Sequence, residues 1–269
     1  MEQAQFIALL GELLDFGAAE VYALVAVFTR IGAVVALLPG FGEQTLPARI
    51  RLGAAVAFTL IVWPMARPDA AAVIDAAGAD ILSLSSLLMA EAVAGLLLGL
   101  SVRLLVMALQ LAGSIAAQAT AVAQIFGTGV TPDPMPAIGN FLTVAGITLS
   151  LVLGLHIKAT LVLLESYVVI PIGGFARSDD IALWGVTRAG EAFALAFALA
   201  APFVVASLVY NLALGAINRA MPQLMVALVG APAITGLMLL LLWASAPLAL
   251  EHWAGVLDHV LADPFGSGW

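Results

Sequence analysis

The chain of 269 residues is 63% hydrophobic and 10% charged, with a mean hydropathy of +1.13, well above the apolar content of a soluble domain. Its net charge of −8 and nine singly scattered Lys and Arg exclude a nucleic-acid binder, which needs a continuous basic face. The absence of cysteine excludes a disulfide framework and thiol chemistry.

What remains is an integral membrane protein, and its spans are read from apolar runs and their breaks. From Gln3 to Gly17, Phe6, Leu9, Leu10, Leu13 and Leu14 recur at helical spacing with Glu12 and Asp15 on another side. This predicts an amphipathic helix whose acidic face suits a partner protein better than anionic lipid. Val21 to Leu38, apolar except for Thr29 and Arg30, is about long enough to cross a hydrocarbon core of roughly 30 Å. Arg30 is the first cation, so the basic start of a secretory signal is missing and insertion is expected to rely on this span. Pro39 to Gly53 is a turn-rich link carrying Glu43, Pro47, Arg49 and Arg51, and its paired arginines favour the cytoplasm. Leu52 to Met65 predicts a short second span closed by Pro64 and Pro68, followed by an exposed, acidic loop from Arg67 to Asp80.

Ile81 to Leu109 is a long apolar run containing Glu91 and Arg103, with Gly95 and Gly99 at the spacing that lets helix backbones approach closely. Gln110 to Pro136 behaves differently. It is apolar yet studded with Gln and Thr, and in its second half glycines and three prolines remove any helical period. Irregular backbone of this kind is tolerated at membrane depth only against protein or a wet cavity, which predicts a loop, over about 118–136, that lines or blocks a passage. Ile138 to Val169 is a further apolar run, interrupted by His156, Lys158 and Glu165 and stopped by Pro171, Gly173 and Gly174. Arg177 to Glu191 reads as a charged loop and a structural boundary. Beyond it, Ala192 to Asn218 and Ala220 to Leu250 flank the lone Arg219 as a transmembrane hairpin, with kinks expected at Pro202 and Pro232. Glu251 to Ala262 is amphipathic, placing Trp253, Leu257, Val260 and Leu261 opposite Glu251, His252, Asp258 and His259.

The expected fold is all-α: a polytopic membrane protein of about six long apolar helices in kinked hairpins, with a mid-chain re-entrant or plug loop. Six spans put both termini on one side. Arg49 and Arg51 favour that side being outside, but Arg67, Arg177 and Arg188 then lie outside as well, so the cations do not fix orientation.

Arg30, Glu91, Arg103, Lys158 and Glu165 lie within apolar runs, where a charge costs a few kcal/mol and is by default paired. Pairing within a helix or between subunits is favoured over a proton relay. His252 and His259 share a helix face without a third ligand, so no metal site is expected. Neither a phosphate-binding glycine loop nor a Ser, His and Asp arrangement occurs, so no catalytic residue, cofactor or enzymatic activity is expected. A rival of another class is a secondary transporter of a small solute, with helices broken at Pro202 and Pro232 and an ion site of His156, Lys158 and Glu165. An interaction subunit of a membrane complex is a third.

Three stretches together carry a resemblance. They are Pro39 to Gly53, with Glu43, Pro47, Arg49 and Arg51; Tyr167 to Gly173, ending Ile170-Pro171-Ile172-Gly173; and Asn211 to Pro232, with Asn211-Leu212-Ala213-Leu214-Gly215, Asn218-Arg219 and Pro222-Gln223-Leu224. In these the chain resembles the FliR family, the R subunits of the flagellar type III export gate, whose injectisome counterparts are the SctT proteins. The likeness spans about the whole chain, and the last motif is specific because such a polar string is rare between two lipid-grade helices.

The resemblance implies a non-enzymatic pore subunit that assembles with P and Q subunits into a closed helical spiral, beside the A and B export-apparatus membrane proteins. It also implies a place in the bacterial inner membrane at the flagellar basal body, passing unfolded export substrates. Residues 1–188 would be the P-like part and 189–269 a Q-like hairpin with a C-terminal amphipathic helix. The pore plug would be Ile125, Phe126, Gly127, Gly129 and Val130. Asn218, Arg219, Pro222 and Gln223 would form the hairpin turn and a partner contact, and Glu43, Pro47, Arg49 and Arg51 the cytoplasmic link. The chain departs from the family pattern at Gly154-Leu155-His156, where Asn-Gly-His is common, and in a plug loop longer by Gly127-Thr128-Gly129. Flagellar use is favoured over injectisome use by the Asn-Leu-Ala-Leu-Gly string.

Overall fold

A computed structural model of the chain describes residues 2–77, 80–121, 137–175, 177–220 and 226–266. Among these residues lie seven helices and no strand: α1 Glu2–Leu37, α2 Ala48–Ala77, α3 Ile81–Ala121, α4 Ala137–Val152, α5 Leu155–Val169, α6 Ser178–Ala220 and α7 Val226–Ala262. Five are long and apolar enough to cross a membrane, and six spans result when α4 and α5, bent by 72° at their junction, count as one. The all-α polytopic architecture expected from the apolar runs is the one observed. The junction is made by Gly154, whose φ of 81° lies in the left-handed region where glycine carries no steric penalty. Its carbonyl oxygen then starts α5 by accepting from Ile157 and Lys158.

Besides the break at Gly154 and the union of the second hairpin arm with the C-terminal amphipathic segment in α7, element boundaries differ from the sequence expectation in four places. The amphipathic segment and the first span are one helix, α1, because no proline interrupts them. The second is at the prolines: α2 runs through Pro64 and Pro68 to Ala77, so residues 67–77 are helix and not an exposed loop. Pro64 and Pro68 stand one turn apart, which confines their missing donors to one face. Phe58, Val62, Ala66, Ala70 and Ile74 are buried on both sides of them in one core, and this packing keeps the helix continuous. Third, residues 178–191 are the first turns of α6. Asp179 and Asp180 complement the helix N-terminus, Trp184 Nε1 donates to the Pro264 carbonyl at 3.2 Å, and buried Arg188 donates to that of Gly266 at 2.6 Å. Fourth, Gln118 to Ala121 of the expected loop are the last turn of α3. The remainder of that loop, with Ile125, Phe126, Gly127, Gly129 and Val130, and the hairpin residues Pro222 and Gln223 lie outside the described residues.

The chain forms two compact units, each discontinuous in sequence. The first comprises Met1–Arg103, Gly154–Trp184 and Leu261–Phe265. Its core gathers Ala26, Val27 and Ile31 of α1, Phe58 and Val62 of α2, Leu87 and Leu98 of α3, and Leu163 and Tyr167 of α5. Phe41 closes one edge against Phe58, ring centroids 5.7 Å apart and nearly perpendicular. In this unit a Cβ on Gly95 would clash with the Arg30 carbonyl and stand 2.8 Å from Ala33 Cβ, while one on Gly99 would stand 2.8 Å from Leu37 Cβ. The small-residue spacing therefore does what it predicts, bringing the α1 and α3 backbones together.

The second unit comprises Leu104–Leu153, Gly185–Val260 and Gly266–Trp269. Ala116, Phe203, Ile234 and Met238 pack together there. Trp253 is fully buried and donates its indole N–H to the Leu105 carbonyl at 2.9 Å. Trp253, Leu257, Val260 and Leu261 are buried and Glu251, His252, Asp258 and His259 exposed, the two faces expected for the C-terminal segment. A Cβ on Gly113 would clash with the backbone of Gly139, so α3 and α4 meet closely there.

Gly95→Val is expected to lower the stability of the detergent-solubilised chain by about 1–3 kcal/mol through overpacking. Gly53→Ala, which meets nothing within 4 Å, should be neutral or stabilising, as Ala is the better helix former. Thermal unfolding of the two variants beside the wild type checks this.

Candidate functional site

Arg30 and Glu91 form the polar centre of the first unit. Arg30 Nε donates to Glu91 Oε2 at 2.8 Å and Nη2 to Oε1 at 3.0 Å, a two-point fork between side chains that are both 0% exposed. Nη1 donates to the Ile170 carbonyl at 2.9 Å and lies 3.2 Å and 3.3 Å from the Ser166 carbonyl and hydroxyl oxygens. These carbonyls belong to the last turn of α5 and its cap, where a helix leaves acceptors unsatisfied and favours a cation. The Gly173 amide donates to Glu91 Oε1 at 2.9 Å, and the Arg30 guanidinium carbon stands 4.1 Å from the Tyr167 ring centroid. One ion pair thus joins α1, α3, α5 and the Ile170 to Gly173 turn.

A second pair closes the same seam further along. Arg103 Nη1 donates to Glu43 Oε1 at 2.7 Å, each side chain 27% exposed. Glu91, Gly95, Gly99 and Arg103 recur every four residues on α3 and share one face. Their counterparts are Arg30, Ala33, Leu37 and Glu43 in that order, so α1 and α3 run parallel with an ion pair at each end of a glycine seam. Both pairs cross between elements of one chain, not within a helix or between subunits as expected from the sequence. The difference follows from the 61-residue and 60-residue separations, which helical periodicity does not span.

The other expected residues are placed as follows. Pro47 starts α2, its carbonyl accepting from Ile50 at 2.9 Å and Arg51 at 3.3 Å. Arg49 is exposed, and the partly buried Arg51 has a buried Nε without an acceptor among the described residues. Asn218 and Arg219 are exposed in the last turn of α6, not in a turn between helices, and Arg219 there complements the helix C-terminus. Lys158 is half-buried in α5, while His156 and Glu165 are exposed. Nine residues separate His156 from Glu165, which puts them on opposite sides of α5 and keeps them from converging on one ion. No group of three His, Cys, Asp or Glu gathers among the described residues.

Sequence reasoning missed Ser166, Tyr167 and Gly173 as partners of the buried pair. The signal available was positional: they flank the Ile170-Pro171-Ile172-Gly173 turn that ends an apolar helix. It also missed Arg188, which is buried, bonded to Glu191 at 3.1 Å and to the Gly266 carbonyl, and which lies within a stretch that composition marks as surface loop.

Comparison with known proteins adds the relationships of the chain. The family model for bacterial export proteins, family 1, matches residues 21–260. The flagellar biosynthetic protein FliR of Caulobacter vibrioides is 33% identical, covering 83% of this chain and 88% of the relative. Its namesakes in Pectobacterium carotovorum and Escherichia coli are 30% and 27% identical, covering 88% and 87% of this chain and 90% and 89% of their own lengths.

Glu91→Ala leaves Arg30 buried and uncompensated, and is expected to destabilise the chain by about 3–5 kcal/mol. The double variant Arg30→Met with Glu91→Leu should recover much of that loss, because neither charge then needs desolvating. Thermal unfolding of the single and double variants decides the point: a double variant as unstable as Glu91→Ala would show that the charges themselves are not what the single change exposes.

Proposed function

The chain belongs to the bacterial export proteins, family 1, and from that premise we propose that it is the R subunit of a flagellar type III export gate. The observation that carries this reading is the likeness to proteins named flagellar biosynthetic protein FliR over more than four-fifths of the chain. On this reading it helps form the pore through which unfolded export substrates cross the bacterial inner membrane at the flagellar basal body. It acts without enzymatic chemistry or a cofactor, and its partners are the P and Q gate subunits, then the A and B export-apparatus membrane proteins. Residues 1–188 are the P-like part and 189–269 the Q-like hairpin. The flagellar names of the relatives favour flagellar over injectisome use.

Helix length supports the proposal. α6 has 43 residues, which span about 65 Å, whereas a hydrocarbon core is about 30 Å thick. Along it Phe193, Phe197, Leu208 and Leu212 are exposed in the isolated chain. Apolar side chains on a helix more than twice the bilayer thickness need cover that lipid alone does not supply, as expected of a subunit buried in a larger assembly. The plug assignment to Ile125, Phe126, Gly127, Gly129 and Val130 rests on sequence: an apolar constriction excludes ions without binding anything, and glycines on either side allow it to move aside.

Deleting the gene should abolish flagellar filaments and motility, with both restored by the wild-type chain, and a tagged wild-type chain should co-purify with P and Q subunits. Normal filaments in the deletion strain would overturn the proposal. Within an assembled gate, Phe126→Ala should raise resting ion conductance; unchanged conductance in a variant shown to assemble would remove the plug role.

A further inference from the structure

Helix α5 buries one side and leaves the other without a neighbour among the described residues. Leu155, Ala159, Leu163, Ser166 and Tyr167 face the core of the first unit. On the opposite side Ile157, Leu161 and Val168 are 60%, 54% and 75% exposed, and Glu165 stands among them, also exposed. Spacings of four, four and three residues place all four within one narrow stripe.

Glu165 differs from the charges in the other apolar helices. Arg30 and Arg103 each meet a carboxylate of their own chain. Glu165 has neither a hydrogen bond nor an ion pair to any described residue. In lipid the stripe would strand a carboxylate, which costs a few kcal/mol. In water it would strand three large aliphatic side chains. A surface that satisfies both halves is a helix that is apolar around a single cation.

We propose that the Ile157, Leu161, Glu165 and Val168 face of α5 docks an apolar helix of another gate subunit, which presents an Arg or Lys to Glu165. The inference rests on the export-gate reading and names the chemistry of one contact within it. A different subunit, not a second copy, supplies the cation, because Arg30, Arg67 and Arg103, well inside this chain's apolar helices, already meet Glu91, Glu20 and Glu43, and its exposed Arg49 and Arg219 stand in the first and last turns of their helices.

The chain contains no cysteine, so Leu161→Cys introduces a unique thiol. That thiol should react with N-ethylmaleimide in the chain expressed alone and be protected in the co-expressed complex with P and Q subunits. Glu165→Gln should reduce recovery of partner subunits with the tagged chain by about tenfold or more, as expected for breaking a buried charge pair, while leaving the thermal unfolding of the isolated chain unchanged. Equal labelling of Leu161→Cys alone and in the complex, or wild-type recovery with Glu165→Gln, would overturn the docking face. If the wild-type chain itself recovers no gate subunit, the export-gate reading has failed, which separates the two conclusions.

Discussion

The first unit depends on a charge pair that is favourable in one arrangement only. Removing a guanidinium and a carboxylate from water costs several kcal/mol for each ion, and their mutual attraction offsets this only when the remaining donors and acceptors are also met. Glu91 meets three donors, two from Arg30 and one from the Gly173 amide, and Arg30 reaches the α5 carboxyl end as well. Sliding α1 against α3 by one residue would break the fork, and lifting the Ile170 to Gly173 turn would orphan an acceptor of Glu91. Apolar side chains of similar volume would pack as densely but would penalise such shifts far less. The glycines belong to the same device: Gly95 meets the backbone of Arg30, the residue whose side chain reaches Glu91, so close backbone approach sets the length of the ion pair.

This centre explains where polarity sits in so apolar a chain. In the first unit Arg30 and Glu91 are folded inward and paired, Arg103 meets Glu43 of the link after α1 and Arg67 meets Glu20, while Glu165 stands exposed on α5. On α2, α5 and α6 many large apolar side chains are exposed, among them Leu60, Ile61, Ile157, Leu161, Phe193 and Phe197, a surface for lipid or other subunits to cover.

Much of this was legible in sequence because the relevant signals are local. Apolar run length gave the helices, Gly95 and Gly99 gave the close approach, and the 3.6-residue period gave the two faces around Trp253. The signals that failed were those in which packing outweighs propensity. Pro64 and Pro68 read as stops, yet one side of α2 is buried above and below them, and that burial outweighs the lost hydrogen bonds. Residues 178–191 read as loop by charge, although acids at a helix start and an arginine satisfied by a distant carbonyl fit a helix equally well. That Arg30 and Glu91 must be paired was readable from their setting; that they pair with each other was not, since it depends on which helices meet.

One further clue was present and needed only the four-residue repeat to be read with charge included. On α3 the series Glu91, Gly95, Gly99 and Arg103 is an acid, two glycines and a base, and α1 with its following link offers a base, two apolar positions and an acid in the same direction. Two helices bearing complementary ends around a small-residue seam fit in parallel and not in antiparallel order, because reversal would set Arg30 near Arg103 and Glu43 near Glu91. Like charges brought together in a setting with little water cost far more than at a surface. The ends therefore select the direction while the glycines select the distance, and neither signal alone specifies the pairing. Charge order along a seam thus carries topological information in a chain whose hydropathy, being high throughout, carries almost none.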